Sequence, residues 1–411
     1  MQKLLLWCAI LCSVHGTAQD YTIKLEPSNG KFKEVEYDMW IPENLKTIKG
    51  IIFHQHGCGE GAEKSGANSF HDLQWRALAK RWDFALMGSS YRCKSDCHDW
   101  IEPENGSYET FTRGISEIGQ RANHAELAQV PWVIWGHSGG GHWAYQMVLQ
   151  HPDKILCAIL KSPAWCDTSS LGLQVPTLCV LGMQESYDVF SGFVWARAIE
   201  SMKYRINKGA PVCIAPDPTA GHESAKSRLL TIAFIDKILN LRISDSTTVI
   251  NKTNQCFIDL NNFKLTNELK ETTFKSSGNW FPDRLFAAKW SEFVQTGVVT
   301  DETSPTEPPT DLKVTACERN NCISWRATAD VESGIKGFKV YRNDKLINGD
   351  SIQSLWNLRI NYHDNPLYLS DKFEYIDRHA KPNKDYAYQV SLINQSGFES
   401  PKSEVVRIKK K

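Results

Sequence analysis

An apolar run that ends in closely spaced glycines constrains the fold of this chain most strongly. Residues 131–135 run into a Gly-x-Ser-x-Gly pentapeptide at 136–140, and a helix-compatible segment follows. A Cβ at Gly136 or Gly140 would collide with the neighbouring strand or helix. The pattern therefore predicts a tight strand-to-helix turn that strains Ser138 and exposes its hydroxyl for nucleophilic chemistry. An ordinary glycine-rich turn is the alternative.

Apolar runs alternate with helix-like segments around this turn. Strands are predicted at 50–56, 84–88, 131–135, 155–160, 177–182 and 211–216, and helices at 71–81, 109–127, 140–150, 193–207 and 223–239. Such alternation predicts an α/β fold with a doubly wound, mostly parallel sheet that is covered on both faces. Ligands bind outside the carboxyl ends of the strands in such sheets.

A glycine-rich loop follows the first strand of this series. The sequence His56-Gly57-Cys58-Gly59 comes directly after it. Backbone N–H groups of such a loop, together with the N–H of the residue after the nucleophile, can stabilise a developing oxyanion. We therefore predict oxyanion donors at Cys58 and Gly139, with a plain glycine turn as the alternative.

A carboxylate and a histidine follow the later strands in the order that acyl-transfer chemistry requires. Glu185 lies just past strand 177–182, and His222 lies past strand 211–216. An imidazole can take the serine proton and return it to the leaving group, while a carboxylate orients the ring. Asp188 and Asp217 remain alternative acids.

These motifs give residues from about 22 to 242 a resemblance to the α/β-hydrolases, in which the chain order is serine, acid, histidine. The His-Gly-Cys loop is most similar to the secreted polyhydroxybutyrate-depolymerase and feruloyl-esterase-like branch. The resemblance implies an esterase with Ser138 as nucleophile, His222 as base and Glu185 as acid. Glutamate departs from the aspartate of that branch, which keeps Asp188 open.

Aromatic residues are candidates for the substrate-binding wall. The chain has 14 tryptophans, and a polar, cysteine-containing insertion at 92–108 that reads as a lid or rim holds Trp100. Trp143, Trp165 and Tyr187 are the other candidates. Core packing is the alternative reading for each of them.

The N-terminus is typical of a secretory signal peptide. Lys3 precedes an apolar run of leucine, isoleucine and other nonpolar residues, and small residues end at Ala18. We expect removal of 1–18, export to a secreted or periplasmic location, and no membrane span.

Cysteine usage agrees with an oxidising compartment. Of the 12 cysteines, two lie within 1–18, which leaves 10 in the exported chain, and disulfides are expected there. The near pairs are Cys93 with Cys97, Cys157 with Cys166, and Cys317 with Cys322. Alternatively, Cys58 bridges to Cys93 or Cys97 and pins the oxyanion loop.

The domain boundaries follow from these patterns. After the signal peptide we predict a catalytic domain at 19–243, an extension packed on it at 244–300, a Pro-rich linker at 301–310 and a β-module at 311–411. Period-two alternation around Trp325, Tyr386 and Tyr388 gives the last part a resemblance to a small all-β fibronectin type III sandwich.

The balance of positive and negative residues argues against nucleic acid as a partner. Lys plus Arg and Asp plus Glu both number 47 in 411 residues, so no net field attracts nucleic acid. We predict a monomeric serine esterase that needs no metal or organic cofactor and cleaves carboxylic esters, with polysaccharide acyl esters favoured. A polyester depolymerase, a serine peptidase of the same fold and a non-catalytic binding protein are the alternatives.

Overall fold

The computed structural model describes residues 19–59, 72–163, 166–187, 189–223, 226–244, 258–259, 264–265, 278–318, 320–349, 371–381 and 384–409. Side chains are described for these residues except 19, 186–194, 244, 258–259 and 264–265. The predicted signal peptide lies outside the described residues.

An eight-stranded sheet with neighbour order β1-β2-β4-β3-β5-β6-β7-β8 organises the larger part of the chain. β1, β2 and β4 pair antiparallel, and the remaining neighbours pair parallel. The strands are β1 (Gln19–Leu25), β2 (Glu34–Ile41), β3 (Gly50–Gln55), β4 (Phe84–Arg92), β5 (Trp132–His137), β6 (Ile155–Lys161), β7 (Thr177–Gly182) and β8 (Val212–Asp217).

Helices cover both faces of this sheet. Alternate residues of a strand point to opposite faces, and both faces of the buried strands are apolar, so each face packs against helices. Ile52 and Val133 join one apolar cluster, while their neighbours Ile51 and Ile134 join the other. The first cluster includes α1 (Leu73–Trp82), α5 (Ser227–Leu239) and α6 (Arg284–Thr296), and the second includes α2 (Ser107–Arg121), α3 (Gly139–Gln150) and α4 (Val189–Asn207). The predicted α/β class with a mostly parallel sheet is confirmed.

Two strands are absent from the prediction, and several element ends differ from it, most of all the end of α2. β1 and β2 form an antiparallel hairpin that the sequence reading omitted. Their signal is a period-two pattern, since Ile23 and Leu25 are buried while Lys24 between them is exposed. α2 ends at Arg121 instead of continuing to 127, because Asn123 adopts a left-handed φ of 58° that stops the helix.

The extension packs against the free edge of the sheet at β8. The Asn279 side chain accepts a hydrogen bond from the Ile214 N–H and donates one to the Ile214 carbonyl, both at 2.8 Å. The indole of Trp290 on α6 donates to the same carbonyl at 2.9 Å. These contacts satisfy backbone groups that an edge strand would otherwise leave unpaired.

The C-terminal module contains two antiparallel sheets. One has the order β11-β12-β15 and the other β14-β13-β16-β17, which is consistent with an all-β domain. The resemblance to fibronectin type III stays a prediction. The strands are β11 (Thr310–Cys317), β12 (Asn320–Arg326), β13 (Gly337–Arg342), β14 (Lys345–Leu346), β15 (Lys372–Asp377), β16 (Tyr386–Ile393) and β17 (Val406–Ile408), and a short pair, β9 (Ile258–Asp259) with β10 (Lys264–Leu265), precedes them.

The C-terminal module and the larger domain share one apolar cluster. Trp325 and Leu392 of the module belong to the same cluster as Trp75 of α1. Polar contacts border it: the Gln74 amide donates to the Val331 carbonyl at 3.0 Å, and Arg81 pairs with Glu332 at 2.8 Å. The two parts are therefore packed together directly and not only through the linker.

Disulfide bonds join Cys58 to Cys97 and Cys317 to Cys322. The predicted pair of Cys157 and Cys166 is wrong, because both are buried free thiols. Cys97 bonds Cys58, so the Cys93–Cys97 pairing does not form. Within the described part of the chain, no helix is long and apolar enough to cross a membrane.

We expect Asn279→Ala to lower the free energy of unfolding by about 1–3 kcal/mol, because the buried Ile214 N–H loses its acceptor. Urea denaturation followed by circular dichroism measures this change. Asn207→Ala, at an exposed helix end, is the matched control and should stay within about 0.5 kcal/mol of the wild type. An unchanged midpoint for Asn279→Ala would show that its side chain does not stabilise the sheet edge.

Candidate active site

Ser138 lies in a strained turn between β5 and α3. Its backbone has φ 55° and ψ −120°, a conformation that is costly for a residue other than glycine. A Cβ at Gly136 would lie 2.1 Å from the Gly140 carbonyl oxygen, and one at Gly140 would lie 2.2 Å from the Gln55 carbonyl oxygen. Both positions therefore require glycine, as the sequence predicted, and the turn holds Ser138 at the carboxyl end of β5.

The glycine loop after β3 lies against this turn. A Cβ at Gly57 would lie 2.7 Å from the Ser138 Cβ and 3.3 Å from its Oγ. A Cβ at Gly139 would lie 2.3 Å from the Cys58 Sγ and 3.6 Å from the Cys58 backbone nitrogen. The structure thus brings Cys58 and Gly139, the two predicted oxyanion donors, together beside Ser138.

A disulfide attaches the glycine loop to the 92–108 insertion. Cys58 bonds Cys97, at the start of a short 3₁₀ turn, Cys97–Asp99. Trp100 follows that turn and stacks on Tyr91 with ring centroids 4.6 Å apart. The insertion is therefore a folded, covalently anchored segment next to the glycine loop.

Glu185 is the described carboxylate that contacts His222. It lies in the 3₁₀ turn Met183–Tyr187 directly after β7, and its side chain is buried. The His222 Nδ1–H donates to Glu185 Oε1 at 2.5 Å. Of the alternative acids, Asp188 lies outside the described residues. Asp217 accepts hydrogen bonds from the Thr219 N–H and hydroxyl with its Oδ1.

The acid and base loops also touch through their backbones. The Gln184 N–H donates to the Ala220 carbonyl at 3.1 Å. A Cβ at Gly182 would lie 1.9 Å from the Gly221 carbonyl oxygen. Only glycine permits this approach, which places Glu185 within reach of His222.

Hydrogen bonds and charge set the protonation of the acid. Burial works to raise the pKa of the Glu185 carboxyl, but the hydrogen bond from His222, the charge of Lys161 and the hydrogen bond from Ser162 together hold it below its ordinary value. Glu185 is therefore ionised at neutral pH. An ionised acid is what stabilises an imidazolium during catalysis.

His137 connects the base loop to the nucleophile turn. Its Nε2–H donates to the His222 backbone carbonyl at 2.7 Å, and the two rings lie 5.0 Å apart. Because His137 immediately precedes Ser138, this bond holds the His222 loop against the turn. No sequence motif signals this contact between His137 and the His222 carbonyl.

The aromatic residues predicted for the substrate-binding wall differ in their positions in the structure. Trp143 is fully buried, packs on Phe53 and Phe111, and donates its indole N–H to Ser107 at 2.9 Å. Its assignment to the substrate wall is corrected to core packing. Trp100 is also buried, but it borders a small cavity that Gly57 and Cys58 line. Trp165 and the side chain of Tyr187 lie outside the described part of the structure.

One group of side chains has ligand-type atoms close enough together for a metal ion among the described residues. It consists of Asp96, Cys97 and His98. The Cys97 sulfur is already bonded to Cys58, so it cannot act as a thiolate ligand.

Comparisons with known proteins find likenesses among solved structures, while no family model and no curated protein matches the chain. Poly(aspartic acid) hydrolase-1 from Sphingomonas sp. KT-1 is similar at 14% identity over 51% of this chain and 94% of its own, with a TM-score of 0.35. A ferulic acid esterase is similar at 16% identity over 51% of this chain and 92% of its own, with a TM-score of 0.37. S-formylglutathione hydrolase from Staphylococcus aureus is similar at 14% identity over 57% and 98%, with a TM-score of 0.35. At these scores the likenesses establish neither family nor activity for this chain.

We expect the double variant Cys58→Ser/Cys97→Ser to lose both stability and turnover. The bond closes a loop of 39 residues, worth about 4 kcal/mol in the chain-entropy account. Its loss also releases the loop that bears the predicted oxyanion donor Cys58, so kcat of ester hydrolysis should fall while the N–H itself remains.

The matched control is Cys317→Ser/Cys322→Ser in the C-terminal module, which opens a loop of 5 residues worth about 2 kcal/mol. Thermal unfolding and ester hydrolysis are measured on both variants. Equal kcat in the two would show that the first disulfide has no part in arranging the site.

Proposed function

We propose that this protein is a serine hydrolase that cleaves carboxylic esters through an acyl-enzyme, with Ser138, His222 and Glu185 as its triad. The observation that carries the proposal is the left-handed backbone of Ser138, together with a His222 ring that a buried, ionised Glu185 holds and whose loop is hydrogen-bonded to His137, the residue before Ser138. Strain of this kind needs support from the surrounding structure and concentrates at functional sites.

The proposed reaction uses each group in turn. His222 takes the proton of the Ser138 hydroxyl as the oxygen attacks the ester carbonyl. The N–H groups of Cys58 and Gly139 stabilise the tetrahedral oxyanion. His222 then protonates the leaving alcohol, and water repeats the sequence on the acyl-enzyme. Glu185 stays ionised and stabilises the imidazolium that forms in each half of the cycle.

Acyl esters of polysaccharide fragments are the substrate class that we propose, on the sequence resemblance alone. The exported location belongs to the same proposal. A panel of acetyl, feruloyl, glucuronoyl-methyl and hydroxybutyrate esters compares this class with polyesters. Amino-acid anilides test the peptidase alternative, and selective cleavage of anilides would replace an esterase by a peptidase.

Ser138→Ala should abolish covalent labelling by a fluorophosphonate and lower the rate of p-nitrophenyl acetate hydrolysis by at least about 10³-fold, because the nucleophile is lost. Ser170→Ala, which removes an exposed hydroxyl, is the control and should react like the wild type. A wild-type chain that resists labelling would favour a non-catalytic binding protein.

The pH profile should show a single protonation in acid. His222 must be neutral to accept a proton, so kcat/KM should decline as the pH falls. The pKa of Glu185 is held below its ordinary value, so Glu185 remains charged over that range and adds no second protonation. The logarithm of kcat/KM should therefore fall with a slope of about one. A slope near two would show that Glu185 protonates together with the base.

A further inference from the structure

A fully buried lysine lies behind the acid of the proposed triad. Lys161 ends β6 at the edge of the sheet that carries the site, and its relative exposure is 0%. Its Nζ donates to the Ser162 Oγ at 2.7 Å, and that hydroxyl donates to Glu185 Oε2 at 2.7 Å. Since Oε1 of the same carboxylate accepts from His222, both oxygens of Glu185 are held, and the plane of the carboxylate is fixed.

The same short segment also supports the nucleophile. The Ser138 N–H donates to the Lys161 backbone carbonyl at 2.9 Å. Ser162 has a left-handed φ of 42°, and its N–H donates to the Val180 carbonyl of β7 at 2.9 Å. Lys161 thus contacts the nucleophile turn through its backbone and the acid through its side chain.

Four acidic groups on neighbouring segments interact with Lys161. They are the Cys179 thiol on β7, Glu185 in the turn after β7, Asp217 at the end of β8, and Glu223 in the loop that bears His222. Burial lowers the pKa of the Lys161 ammonium, and these acidic groups oppose that effect. Removing an ammonium from water is unfavourable, so an apolar residue would fill this position at a lower energetic cost if packing were its only role.

We propose that Lys161 is a positioning residue of the hydrolytic site: through Ser162 it fixes the Glu185 carboxylate for His222. This inference rests on the proposed function. The proposed triad reaction does not by itself require Lys161. The inference explains why a charged side chain ends an otherwise apolar strand.

Lys161→Met tests the inference, because methionine keeps most of the side-chain length and removes the amine. We expect kcat to fall on the order of 10- to 100-fold, with KM within about twofold, since the acid loses its orientation. The acid limb of kcat/KM should move to higher pH by about one unit, because proton uptake by the site becomes more favourable when the buried positive charge is removed. The limb is measured with p-nitrophenyl acetate between about pH 5 and 8.

Two further variants complete the test. Lys154 lies just before the opposite end of the same strand. The Lys154→Met variant should keep the wild-type kcat and pH profile. Ser162→Ala breaks the link to Glu185 but keeps the lysine, and it should show a smaller loss of kcat and a smaller shift in the same direction. If Lys161→Met does not fold, Ser162→Ala decides the matter.

The outcomes separate the two proposals. A lower kcat with an unmoved acid limb, in a folded variant, would make Lys161 a structural residue and overturn the inference. A wild-type rate and profile in both Lys161→Met and Ser162→Ala would overturn it as well. A wild-type chain that a fluorophosphonate does not label would overturn the proposed function, and this inference would fall with it.

Discussion

The arrangement of the site depends on backbone contact at the nucleophile turn. The absent side chain of Gly140 lets the start of α3 lie against the carbonyl of Gln55 at the end of β3. That contact brings the loop of Cys58 beside Ser138, whose backbone is left-handed. Protein interiors are close-packed, so one added methyl group here would separate the two strand ends and the groups they carry.

The electrostatics of the site follow from the order of the parallel strands. β6, β7 and β8 are neighbours, and their carboxyl ends carry Lys161, Glu185 and the loop of His222 in that order. A buried cation, a buried anion and a partly exposed imidazole therefore stand in a row. Each buried charge has an oppositely charged neighbour that compensates the loss of hydration, and the partly exposed member of the row, His222, is the one that we propose to exchange protons.

Local pattern was enough to predict the strand-turn-helix at Ser138 and to favour Glu185 as the partner of His222, but it left Cys93 and Cys97 open as partners of Cys58. Glycine spacing and chain order carry those signals. Contacts between distant segments had no such signal, because the bond from His137 to the His222 carbonyl depends on how two loops approach. Trp143 was misassigned since one residue on a helix adjoining the site can face the core completely.

The apolar cluster shared by the larger domain and the C-terminal module limits how the chain can be divided. Trp75 and Trp325 belong to one continuous interior, and the buried Asp301 carboxylate accepts hydrogen bonds from Ser333 and Asn394 across the junction. Cutting the chain before the module would expose this interior to solvent and leave the Asp301 carboxylate without its partners Ser333 and Asn394. The module is thus part of the continuous apolar interior, and the larger domain without it would expose an apolar patch that favours self-association.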